Sequence, residues 1–297
     1  MRRRVHGSKG SRPGAGWPAA IGAVLLIAAA AVVWRLGGAQ GGIATKPAAH
    51  APARPASFHP LTAQQVAALP EARYDAVIPG LLGYTSGTRP ASDRAYTISS
   101  DTPIYDQQRD PVARFGFTDF AGRPTVVAVV RFDGPWALVL TPARRVLPSA
   151  ADGAAPAQTA GWVRADALHP TEELRARIVV SVSAQQLRIE DLEGNVVQSY
   201  DVAVGAPGTP TPTGVTGYLE ERYLDARQGQ TQYPIQLTSL HATAQDEPYA
   251  GEDGGLIGMH YLADHAGAIS HGCIRLSEQA VVAVDALPLG TSVTIDP

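Results

Sequence analysis

Hydrophobic residues run along this chain in successive patterns, and each predicts a different kind of segment. Residues 17–34 form an uncharged apolar run of 18 residues, just enough helix to cross the hydrocarbon of a bilayer. Residues 41–60 are rich in Ala and Pro with almost no bulky apolar side chain, so they cannot bury a core and read as a semi-extended tether. Within 61–93, Leu61, Val66 and Leu69 recur at helical spacing behind Thr62, a candidate N-cap, which predicts a short lead-in helix. From 94 to 170 the period shortens to that of strands. The runs 95–98, 103–105, 112–117, 125–132, 136–140 and 161–163 are separated by Gly, Pro and Asp, the pattern of a small all-β barrel or sandwich. Between the last two, 148–159 is rich in Ala, Gly and Pro and reads as an exposed loop.

Residues 175–297 are long enough to be a domain with its own core. Residues 178–182 read as a buried strand. Residues 187–190 and 196–200 pair across Leu192-Glu193-Gly194-Asn195, a hairpin connection with Gly available for positive φ. Near the C-terminus Ser277 caps a helix with Ala280, Val281, Val284 and Leu287 on one side and Pro288 to stop it, and 291–295 form a closing strand. No internal repeat and no metal-ligand cluster is visible.

Charge changes this picture in two ways. The first 40 residues hold six Lys/Arg and no Asp or Glu, and a basic flank before the apolar run predicts a cytoplasmic N-terminus and an exported remainder. The expectation for 1–40 is therefore a basic tail and a single-pass membrane anchor, with a signal peptide cleaved near Gly37-Gly38-Ala39 as the alternative. Without those six charges the chain carries 18 Lys+Arg against 27 Asp+Glu, a formal −9. Nucleic-acid binding needs the opposite sign on one face, which excludes that partner class.

The candidate chemistry lies in Ser270-His271-Gly272-Cys273-Ile274-Arg275-Leu276, which contains the one cysteine of the 297-residue chain. A single cysteine forms no intrachain disulfide. A nucleophilic thiol needs a cationic or basic neighbour to lower its pKa; His271 and Arg275 lie within two residues, and His260 and His265 come shortly before. Gly272 removes a side chain beside the sulfur, leaving room for a substrate carbonyl and for backbone N–H groups to face a developing oxyanion. If the segment is extended, His271 and Cys273 leave the same face, making His271 one candidate base. The opposing view treats Cys273 as a small buried hydrophobe and His265 and His241 as surface or satisfied core residues.

This heptad, with Met259-His260 upstream, resembles the signature of the L,D-transpeptidase (YkuD-like) family of bacterial cell-wall enzymes. So do the opening strands and the loop Thr209-Pro210-Thr211-Pro212-Thr213-Gly214 behind Val202-Ala203-Val204-Gly205. The resemblance covers about 178 to 295. In 94–170, Gly134-Pro135-Trp136 and Ala160-Gly161-Trp162-Val163 resemble a bacterial SH3-like domain. The expected fold class is mainly β: a transpeptidase-type β-sandwich with one or two short helices over 175–297, a small SH3-like barrel, and an N-terminal transmembrane helix.

The resemblance implies that Cys273 is the nucleophile and His260 the proton donor and acceptor. It also implies that Ser270, His271 and Gly272 shape the pocket, with backbone N–H groups of Gly272 and Cys273 as the oxyanion hole. Arg275 either binds a substrate carboxylate or is structural. Nine residues separate His260 from Ser270, fewer than in many family members, so His260 and His271 both stand as candidate bases. The implied partners are peptidoglycan tetrapeptide stems, with carbapenems as covalent inhibitors, and no cofactor or metal is needed. The implied outcomes are 3→3 cross-linking, L,D-carboxypeptidase activity or wall-protein anchoring through one thioester; a non-catalytic wall-binding scaffold is the reading of another class.

Overall fold

The short β-like runs of the sequence become strands that divide between two groups of sheets. The structure, a computed structural model, describes residues 58–85, 93–248 and 254–297, and 58–297 form one compact unit. The expected anchor of 1–40 and most of the expected tether of 41–60 lie outside the described residues. No helix among the described residues is long and apolar enough to cross a membrane.

Helix α1 (Ala63–Ala67) is capped as its sequence predicts: the Thr62 hydroxyl accepts from the Gln65 N–H while the Gln65 side chain accepts from the Thr62 N–H, satisfying two amides that the first turn leaves open. The N-terminal β unit then runs through β1 (Leu82–Gly83), β2 (Arg94–Ile98), β3 (Thr102–Tyr105), β4 (Pro111–Phe115), β5 (Val126–Val127), β6 (Val129–Asp133), β7 (Trp136–Thr141), β8 (Thr159–Arg164) and β9 (Leu168–Glu173). One sheet has the order β4-β3-β8-β7-β6 with β1 paired to β8, and a second has the order β5-β2-β9. The run 125–132, which reads as one strand, is broken at Ala128, because β5 joins one sheet and β6 the other. The strand spacing of 94–170 thus yields two sheets around a shared core of Ile98, Ile104, Phe115, Val127 and Val139. Residues 71–84 belong to the same body, since Ala72, Ile78 and Leu81 enter that core and Leu82 pairs with Ala160.

The second group comprises β10 (Ala176–Ser181), β11 (Gln186–Asp191), β12 (Val196–Asp201), β13 (Val215–Asp225), β14 (Gln230–His241), β15 (Leu256–Tyr261), β16 (Ile274–Leu276) and β17 (Ser292–Asp296), with α2 (Glu278–Asp285) between the last two. Their order is β12-β11-β10-β17-β13-β14-β15-β16. β13 is the corner of the sandwich. Val215 to Tyr218 pair with β17, whereas Leu219 already pairs with Thr238 of β14 and the register then shifts between Leu219 and Glu221, a bulge that adds to the local bend. The enclosed core takes Ile178, Leu187, Leu219, Leu240, Ile257 and Ile274, and α2 covers it with Ala280, Val281 and Val284, the face its spacing predicts. Ser277 caps α2 by accepting from Ala280 N–H. The β11–β12 turn has Gly194 at φ 98°, as its sequence requires.

Two elements depart from the sequence reading. The strands β13 and β14 carry apolar, polar and charged residues without clean alternation, and no periodicity announces them. The segment 148–159 is not simply exposed: Ala155, Ala157 and Gln158 are buried. It is sandwiched between the two β units, where Ala157 O accepts from His241 N–H at 2.9 Å and Gln158 Oε1 accepts from the Ser239 hydroxyl at 2.6 Å. Tyr218 of β13 completes this junction, fully buried with Tyr105 and Trp162.

Beside it, Glu220 is buried with its Oε2 unpartnered. Burial first, and then the charge of Asp119, raises its pKa from 4.5 to about 8, so the carboxyl is neutral at pH 7. A folded-state value above the unfolded one gives stability that is present below pH 4.5 and is lost as pH rises toward 8. Between pH 5 and 8 this group removes at most about 4 kcal/mol. We expect Glu220→Gln to remove that loss. Urea midpoints of wild type and variant at pH 5 and 8 check it, because the difference between the two proteins cancels every other titrating group; parallel pH dependences would show that Glu220 does not carry the proton.

Candidate active site

Strand pairing brings the separated sequence motifs together. β15 and β16 are parallel, with Met259 opposite Ile274 and His260 opposite Arg275. Alternation along a strand sends Met259 and Ile274 into the core, where both are fully buried, and leaves Gly258, His260 and Arg275 on the other face. Cys273 directly precedes β16, so the same register continued by one residue sets it beside Gly258. A Cβ at Gly258 would meet Ile235 Cγ2 at 3.3 Å. Cys273 and His260, with Ser270, His271 and Arg275, line one cavity of about 520 Å³. Cys273 is half-buried, its Sγ 3.7 Å from Leu256 O.

The turn that presents the sulfur is clamped by the Pro-Thr-Pro loop. Ser270 O accepts from Ala206 N–H at 2.8 Å and from the Thr209 hydroxyl at 3.2 Å, and Gly272 O accepts from the Thr211 hydroxyl at 2.8 Å. Gly205 N–H donates to Thr211 Oγ1 at 3.0 Å. A Cβ at Gly205 would lie 2.3 Å from Thr211 N, so only glycine allows this approach. Gly272 has φ 108°, and a Cβ there would face Ile257 Cδ1 at 3.2 Å. The glycine is needed for the backbone turn; its missing side chain is on the core side and not, as the sequence suggests, on the substrate side. Its N–H donates to Ser270 Oγ at 3.4 Å, a long bond that holds the turn. Because φ at Gly272 is positive, the segment is not the extended strand that would place His271 and Cys273 on one face.

His260 Nδ1 lies 3.2 Å from Tyr261 O. An Nδ1–H donated there leaves Nε2 as the basic nitrogen. Burial lowers the His260 pKa from its ordinary 6.5, the Arg275 charge acts in the same direction, and the Tyr261 carbonyl opposes both. The ring is accordingly the neutral, proton-accepting form at pH 7. Arg275 has no carboxylate partner among the described residues, so its guanidinium is available to an anion.

The sequence between 175 and 295 matches the family model for YkuD, the L,D-transpeptidase catalytic domain. Residues 175–295 are an L,D-transpeptidase catalytic domain. This segment is similar to the YkuD protein of Bacillus subtilis (strain 168), 32% identical over 120 residues that make up 40% of this chain and 65% of that protein; the match thus spans a little under two thirds of its length. Among solved structures, the chain is similar to Mycobacterium tuberculosis L,D-transpeptidase 1 at 18% identity, covering 47% of this chain and 78% of that one with a TM-score of 0.31. It is also similar to an L,D-transpeptidase in complex with imipenem at 16% identity, covering 57% and 93% with a TM-score of 0.33.

The transpeptidase domain holds residues at its cavity that sequence reasoning missed. Tyr223 and Gln230, from the facing ends of β13 and β14, line it. The Tyr223 pKa is raised to about 12, by burial first and then by the negative charges of Asp225, Cys273 and Tyr74. Tyr74 and Phe120 of the N-terminal β unit also line it. Nothing in their local sequence marks them, because only the packing of the two units brings them there. Of the other histidines, His241 is buried with Nε2 2.8 Å from Tyr74 O and its pKa is lowered to about 3, mainly by burial; His265 Nδ1 lies 2.9 Å from Leu262 O. Neither lines the cavity. Among the described residues no three His, Cys, Asp or Glu side chains gather as metal ligands.

Proposed function

We propose that this protein is an extracytoplasmic peptidoglycan L,D-transpeptidase that forms 3→3 cross-links through a thioester on Cys273. The observation that carries the reading is the placement of Cys273, His260 and Arg275 around one cavity on the outer face of the parallel pair β15–β16. His260 Nε2 takes the thiol proton, and the thiolate attacks the carbonyl of the L-centre of the diamino residue in a tetrapeptide stem. The tetrahedral oxyanion collapses with cleavage of the C–N bond, and His260 returns the proton to the departing D-Ala amine. The side-chain amine of a second stem then attacks the thioester; its proton passes through His260 to the sulfur as the C–S bond breaks. Backbone N–H groups at Gly272 and Cys273 are the assigned oxyanion donors, and Gly272 N–H reaches that role by exchanging its long bond to Ser270 Oγ for one to the oxyanion. Ser270 and His271 shape the pocket. Arg275 binds a stem carboxylate, which its lack of an acidic partner among the described residues supports.

The strand pattern of the N-terminal unit fits an SH3-like wall-contacting module, and the apolar run 17–34 fits a single-pass anchor that holds both units outside the membrane. Incubation with a defined tetrapeptide stem, with and without an added acceptor amine, tests the reaction. We expect cross-linked dimer and free D-Ala; free tripeptide alone makes the protein an L,D-carboxypeptidase, and no product in either arm leaves a wall-binding scaffold. Imipenem is expected to add one equivalent to Cys273 by opening of its β-lactam, read as an intact-mass shift that Cys273→Ala abolishes.

A further inference from the structure

The cavity is not walled by the transpeptidase domain alone. Phe120 stands at the tip of a tight turn in the N-terminal β unit. Asp119 Oδ1 accepts from the N–H groups of Ala121 and Arg123 at 2.8 and 3.0 Å, and Asp119 N–H donates to Arg123 O at 2.8 Å. That turn is fastened to the other unit: Arg123 Nε donates to the buried carboxylate of Glu221 at 3.1 Å, and its NH2 group reaches Glu221 and Arg222 O. Phe120 then meets Tyr74 edge-on at 5.0 Å between centroids and Tyr223 at 5.5 Å. Tyr74 is itself held by the hydrogen bond from His241. The result is a three-ring face, two rings of which come from outside the catalytic domain, that reaches the cavity of Cys273.

We propose that Phe120, backed by Tyr74, selects the acceptor: this aromatic face takes the aliphatic stem of a primary amine and withholds water from the thioester. The inference rests on the transpeptidase reading. Its chemistry follows from two competing steps at one carbonyl. Attack by an alkyl amine makes an amide and returns the thiol; attack by water makes a carboxylate and returns the same thiol. Methylene groups of a diamino side chain gain apolar contact on the aromatic rings, which holds the neutral amine at the thioester, whereas water gains no such contact. A packed face also excludes solvent from a reactive intermediate.

The test uses the full-length chain with Phe120→Ala and Phe120→Leu, and reads the ratio of cross-linked dimer to tripeptide at one fixed stem concentration. The imipenem adduct on Cys273, read by mass in the same samples, reports whether the nucleophile is in place. We expect the ratio to fall about tenfold in Phe120→Ala, the scale of losing a large apolar contact in a specificity pocket, and to recover to within about twofold of wild type in Phe120→Leu, which restores apolar bulk. An unchanged ratio in Phe120→Ala, with the adduct present, overturns the assignment while leaving the transpeptidase reading intact. A wild-type protein that takes no adduct and releases no D-Ala overturns both.

Discussion

Cys273→Ala is expected to lower D-Ala release from a tetrapeptide stem to background, a loss on the order of 10⁶-fold, the scale seen when a catalytic nucleophile is removed. The same variant should lower the melting temperature by no more than about 4 °C. The asymmetry follows from where the sulfur sits. Its neighbours Ile274 and Leu276 are fully buried core residues, but Cys273 is half-buried at the cavity, with its Sγ 3.7 Å from Leu256 O. Removing it opens no sealed void. A packing role predicts the reverse, with stability lost and turnover kept, and the pair of measurements separates the two. Retained turnover would remove Cys273 from the chemistry altogether.

His260→Gln is expected to lower kcat/KM by about 10²- to 10⁴-fold, the usual contribution of a general acid–base group. The pH dependence carries more information than the size of the loss. The base must be neutral, and a pKa lowered by burial and by Arg275 keeps the ring neutral further into acid than a solvated histidine. Wild-type kcat/KM should therefore hold below pH 6.5 and fall as pH passes through the lowered value. That acid limb should disappear from the residual activity of His260→Gln and persist in His271→Gln. The opposite assignment, with the limb lost in His271→Gln and kept in His260→Gln, would make His271 the base.

The cysteine turn and the Pro-Thr-Pro loop that meets it were marked in the sequence because their signals are local or carried by residue types with few other uses. A cysteine between Gly272 and a strand, a Thr-Pro-Thr loop and a serine ahead of an apolar helix each announce a backbone requirement that only certain residues meet. The capped helices α1 and α2 and the β11–β12 hairpin follow for the same reason. What the sequence concealed depends on long-range packing. β13 meets the N-terminal unit with Tyr218, Glu221 and Tyr223 and its own core with Val215 and Leu219, so aromatic, charged and aliphatic positions interleave without one period. Segment 148–159 is made of small residues because two bodies meet across it, and small residues in isolation look like loop. The role of Gly272 was read on the wrong side: a glycine beside a thiol does not reveal whether its missing side chain faces the substrate or the core, and only φ 108° and the nearness of Ile257 decide.

The placement of β17 has a consequence for how this molecule is assembled. Ile178 pairs with Val293, 115 positions later, and Val215 pairs with Ile295, so the strand that comes last in sequence sits in the middle of the sheet. Until Ser292–Asp296 arrives, the β10–β11–β12 meander and the layer that carries Cys273 share only the isolated bridge between Ala203 and Arg275. Contacts of such long sequence separation are formed late and slowly, because the loop entropy is lost before the pairing compensates for it. Chain growth therefore yields two half-sheets with unsatisfied inner edges rather than an early native core. Such edges are sticky toward other chains, and the interval before β17 docks is when this protein most needs to be kept from them.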